Sequence, residues 1–224
     1  MKGKVKNMQI WEHGQEHERT LLFFPCTAEP VWAFSETVAL LSRKWHVFQV
    51  IYDGHQPEYP GDFTSVEQTV DEVTAYLKNH GVVHLDAAYG CSLGGACLTR
   101  LLALGEIPVS RAIIDGGITP YQLPYLVRKL RLALDVLSFK LVANNRKVLE
   151  TAFPPERFTL PGHDAVKEYD EIELYLKTYS DRTIRNVFWS GNNYALPVTP
   201  AGSSKKLTYW YGDEEKKDRR SNIR

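Results

Sequence analysis

Apolar residues along this chain gather into short blocks, and between the blocks they recur every three or four positions. The blocks are residues 4–12, Thr20–Phe24, Trp45–Tyr52, Val82–Tyr89, Arg111–Asp115 and Lys206–Tyr211. Each has the length and composition of a strand. Val31, Phe34, Val38 and Leu41 follow the second block at helical spacing. Val66, Val70, Val73 and Leu77 do so after the third, with Ser65 placed to cap and Gly81 placed to stop a helix. Leu98, Leu101, Leu102 and Leu104 do so after the fourth. Strands apolar throughout, alternating with helices, predict a mostly parallel sheet covered on both faces. Ligands bind such sheets at the carboxyl ends of the strands. Ser92, Asp53, Asp115 and the loop at Cys26 all fall at such ends.

Residues 118–195 break this rhythm. Leu126, Leu130, Leu134, Leu137 and Leu141 keep helical spacing within a segment reaching Val148. Pro154-Pro155 and Pro161-Gly162 interrupt, and further helices are predicted over about 164–179 and 181–189. The segment is too long for a loop. It reads as a helical cap at 118–195 over a core made of 1–117 and 196–224. Aromatic residues of the cap, Tyr175 among them, are candidates to line an apolar pocket.

Charge narrows the partners. Lys plus Arg is 27 and Asp plus Glu is 27, which offers no attraction to nucleic acid or an anionic membrane. The first residues are not followed by the apolar stretch of a signal peptide, and no apolar run has the length of a membrane span. Three cysteines, Cys26, Cys91 and Cys97, form an odd set expected to be reduced thiols of a cytoplasmic protein. No Cys or His pair has zinc spacing, and no cofactor or metal is expected.

The chemistry concentrates in Gly90-Cys91-Ser92-Leu93-Gly94-Gly95, between a strand and a helix. This is G-x-S-x-G, the nucleophile elbow. The serine hydroxyl stands clear only if the backbone turns sharply, and glycines remove the side chains that such a turn would crush. The helix that follows aims N–H groups at any oxyanion formed there.

With that motif, the chain resembles the α/β-hydrolase superfamily over nearly its whole length. Residues 21–27 (LLFFPCT) stand where the family has its oxyanion loop, Asp53-Gly54-His55 resembles its D-x-G-H loop, and residues 209–215 (YWYGDEE) resemble the late strand that delivers the acid. The resemblance implies a three-layer α/β fold with a helical cap inserted after the family's sixth strand. It implies Ser92 as nucleophile of a carboxylesterase-type enzyme acting on a small ester or acyl substrate. It implies the backbone N–H of Leu93, with that of Cys26 or Thr27, as oxyanion donors. It implies Glu215 or Asp213 as the acid, with Asp115 a third candidate.

The family's histidine follows one strand further on, whereas no histidine follows His163 here. Serine needs a base within hydrogen-bond reach. His55 and His163 are the candidate substitutes, and a non-catalytic binding protein is the alternative. The chain is therefore expected to be a C-terminally incomplete hydrolase. Its last strand is expected to leave an open edge through which a homo-oligomer could form.

Overall fold

The computed structural model describes residues 8–59, 61–117, 120, 123–159, 162–198 and 207–213. Six described strands form one sheet in the order β1-β3-β2-β4-β5-β6. They are β1 (Gln9–His13), β2 (Thr20–Phe24), β3 (His46–Ile51), β4 (Leu85–Cys91), β5 (Val109–Asp115) and β6 (Leu207–Trp210). Strand β1 runs antiparallel to β3, and the other neighbours are parallel.

Alternation along the strands sorts the side chains into layers. Leu22 and Phe24 of β2 join Phe48, Val50, Ala88 and Ile114 in the main core. That core is closed by α2 (Val66–Asn79) and α3 (Leu93–Leu104). Leu21 and Phe23 point the other way, onto α1 (Ser35–Leu41) with Val38 and Val47. Capping follows the sequence at α2, where Ser65 Oγ accepts the Gln68 N–H at 3.1 Å.

The helical segment follows β5, the fifth described strand. The long apolar stretch 126–148 is two helices, because Asn145 leaves the helical conformation. Its side chain caps the second helix by accepting the Val148 N–H at 3.2 Å. The result is α4 (Tyr125–Asn144) and α5 (Arg146–Ala152), followed by α6 (Pro155–Phe158), α7 (Ala165–Leu176) and α8 (Asp181–Asn193). Leu149, Tyr169, Leu176 and Ile184 form a second core among these helices.

Helix α8 packs into both cores. It carries Val187 into the main core. It also supplies Thr183 Oγ1 and Ser190 Oγ as acceptors for the backbone N–H groups of Phe63 and Val66, at 3.1 and 2.7 Å. The first strand begins at Gln9, and the predicted residues 4–7 lie outside the described residues. No described helix is long and apolar enough to cross a membrane.

Candidate active site at the Ser92 elbow

Ser92 joins β4 to α3 with φ +50° and ψ −110°. A non-glycine residue persists there only when its surroundings enforce the conformation, at a cost of about 1–3 kcal/mol. The enforcing contacts are visible. The Ser92 N–H donates to the Asp115 carbonyl at 2.9 Å. A Cβ on Gly94 would stand 2.3 Å from the Phe24 carbonyl oxygen, and one on Gly95 would stand 2.5 Å from Gly117 Cα. Glycine is thus what lets the elbow press against the ends of β2 and β5. Leu93 opens α3, where the first N–H groups lack intrahelical acceptors.

The contact at Gly94 brings the elbow against the loop after β2. Cys26 is buried there and hydrogen-bonded to Cys91, and that bond, with burial, pushes its thiol well above the ordinary range. All three cysteines are free thiols. Ala28 takes φ +65°, and its N–H donates to Tyr179 Oη at 3.1 Å. Tyr52 Oη donates to the Pro25 carbonyl at 2.8 Å. Neither tyrosine stands out in the sequence, because a buried phenol that fixes a loop carries no motif. Beside them is a cavity of about 10 Å³, lined by Cys26, Glu29, Tyr52, His55 and Tyr175 among others. It has room for a single water. Of the other aromatic residues in the helical segment, Tyr194 packs into the main core, and Phe153 and Phe158 are exposed.

His55 is buried, with Nδ1 2.9 Å from the Asp53 carbonyl oxygen and Nε2 2.9 Å from Thr27 Oγ1. A carbonyl only accepts, so Nδ1 carries the proton and Nε2 accepts from the Thr27 hydroxyl. Burial lowers its pKa to about 4, against the opposing effect of the Asp53 carbonyl. The imidazole is neutral and holds the loop, with neither nitrogen on Ser92. Asp53 has a buried carboxylate oxygen without a partner. Burial, and secondarily the charge of Glu72, raises its pKa to about 6.

His163 lies between α6 and α7, with Nδ1 2.5 Å from Glu168 Oε1 and Nε2 3.7 Å from Glu36 Oε1. The remaining histidines are also engaged away from Ser92. His13 pairs with Gln49, His17 with Glu16 and His46 with Glu12, while His80 meets the Tyr76 carbonyl and His84 meets Ser110. All seven histidines of the chain are thereby accounted for.

Among the acids, Asp115 flanks the elbow in register with Cys91 and accepts a hydrogen bond from Tyr89 Oη at 2.7 Å. Asp213 lies just past β6, exposed to solvent. Glu215 lies outside the described residues. No group of three or more metal-ligating side chains occurs among the described residues.

Solved structures share this architecture. The chain superposes on an alpha/beta hydrolase family protein from Desulfitobacterium hafniense with a TM-score of 0.65 and 15% identity, over 96% of this chain and 98% of that one. An epoxide hydrolase of Vigna radiata gives 0.68 at 15% identity, over 96% and 81%. MenH from S. aureus gives 0.62 at 15% identity, over 84% and 73%. No protein-family model and no curated protein sequence matches the chain. At this identity the likeness is one of fold: the chain has the α/β-hydrolase fold, with Ser92 at its elbow.

Proposed function

We propose that Ser92 is the nucleophile of an acyl-transfer site and that the protein is a serine hydrolase of small ester or related acyl substrates. The observation that carries this reading is the Ser92 backbone, held at φ +50° and ψ −110° by glycine approaches on two sides. Strain of this kind is sustained where it serves a site. Ser92 Oγ attacks the carbonyl as its proton passes to solvent water, and the N–H of Leu93 with that of Cys26 or Thr27 stabilises the oxyanion. Collapse expels the alcohol, which takes up a proton from water, and leaves an acyl-enzyme that a second water clears. Asp115, Asp213 and Glu215 are the candidate acids.

The Ser92 proton needs an acceptor, and no histidine occupies that place. Sites lacking one triad member keep part of their rate through the oxyanion donors and substrate binding, roughly 10³–10⁴-fold over water in studied cases. The reading therefore predicts acylation of Ser92 by an activated ester, followed by slow turnover. Added imidazole, a diffusible base, is expected to raise turnover by wild type and to leave Ser92→Ala unchanged.

A second reading, a binding protein on a hydrolase fold, is favoured by the same engagement of His55. It predicts no acylation, together with ligand affinity that survives Ser92→Ala.

A further inference from the structure

Helix α4 runs 20 residues and buries only one side. Val136, Phe139, Val142 and Ala143 pack into the cap core beside Tyr179. The opposite side carries Val127, Leu130, Leu134, Leu137 and Leu141, each between 46 and 63% exposed, with Leu123 just ahead of the helix and Leu126 at 77%. Those five helical positions are spaced 3, 4, 3 and 4. That is a strict heptad seam, the pattern of a helix that packs along another helix.

We propose that α4 pairs antiparallel with α4 of a second copy, making the protein a two-fold dimer through its cap. The seam is self-complementary in one register. Placing Leu130 opposite Leu134 of the other copy also places Val127 opposite Leu137 and Leu141 opposite Leu123. Each layer then joins an a position to a d position, and the two-fold repeats it. On one flank, Ala133 meets Ala133 of the other copy, where small side chains let the helices approach.

Spacing, exposure and charge choose this occupant. Pairing removes from water, on both copies together, seven apolar side chains that are 37–77% exposed in the single chain. The cations bordering the seam are already satisfied within the chain. Arg131 Nε is 3.1 Å from Asp135 Oδ1, Lys140 Nζ is 2.7 Å from Asp181 Oδ1, and Lys129 Nζ stands 4.6 Å from the centre of the Tyr125 ring. A seam of paired charges suits a copy of itself better than an anionic surface. This interface is separate from the β6 edge, where the sequence placed self-association, and it does not depend on the chemistry of Ser92.

Sedimentation velocity of the full chain across a micromolar concentration series tests it. Wild type is expected to sediment as a dimer. Leu134→Lys is expected to raise the dissociation constant by at least about 100-fold while helicity by circular dichroism stays unchanged. Leu137→Lys is the second variant, should the first fold poorly. A short bismaleimide is expected to cross-link Ala133→Cys but not Leu126→Cys, because only the former lies near the two-fold axis. A wild type that stays monomeric overturns the proposal. So does a dimer unaffected by both lysine variants, cross-linking of Leu126→Cys as strong as that of Ala133→Cys, or a monomer that floats with anionic phosphatidylglycerol vesicles.

Discussion

Thr27 Oγ1 donates to His55 Nε2 across 2.9 Å, inside a pocket closed by Tyr52, Phe63 and Tyr179. The histidine of the D-x-G-H loop thereby fixes the loop that follows β2. That loop, pressed against Gly94, carries the candidate oxyanion donors Cys26 and Thr27. Thr27→Val leaves Nε2 buried without a donor and is expected to cost about 1–3 kcal/mol of stability by urea denaturation. Thr27→Ser keeps the hydroxyl and should lie close to wild type.

His55 and Asp53 give opposite contributions to stability against pH. The His55 pKa falls on folding from 6.5 to about 4. Its contribution is complete above pH 6.5 and is lost as pH falls toward 4, by about 3 kcal/mol at most. The Asp53 pKa rises on folding from 3.8 to about 6. Its protonated form is the one the fold favours, so its contribution grows as pH falls through 6 toward 3.8. Asp53→Asn is therefore expected to raise the melting temperature above pH 6 and to have little effect near pH 4. Acidification should destabilise it more steeply than wild type. Melting curves at several pH values across this window check both signs.

The Ser92 backbone makes a separate prediction about the elbow. Ser92→Gly relieves the φ +50° strain, whereas Ser92→Ala keeps it. The glycine variant is expected to be more stable than the alanine variant by about 1 kcal/mol, part of the relief being offset by the flexibility of the unfolded glycine. Gly94→Ala should destabilise by more than about 2 kcal/mol, because its Cβ meets the Phe24 carbonyl, a backbone atom that cannot turn aside. Thermal and denaturant unfolding of the three variants measure these differences.

Much of this fold is legible in the sequence, because the parallel strands are short, mostly apolar blocks between polar turns. The β2 segment TLLFF and the β3 segment HVFQVI need both of their faces covered, and the structure covers them. The elbow is legible because its glycines sit at positions where a Cβ would meet backbone. Helix α4 shows where legibility ends. It is apolar around much of its circumference, so periodicity predicts the helix but not which side is buried. The leucines that announce it face outward, and Val136 and Phe139 do the packing. The surroundings of His55 were hidden for another reason. Thr27 and Tyr179 reach it from segments 28 and 124 residues away, and no local pattern connects them.

The central claim, that Ser92 is a nucleophile, is tested most directly by intact-mass measurement of the chain after exposure to a fluorophosphonate, with Ser92→Ala alongside. A single adduct is expected on wild type, mapped to Ser92 by peptide analysis, and none on the alanine variant. A folded wild type that stays unmodified after prolonged exposure, or an adduct that persists in Ser92→Ala, would contradict it.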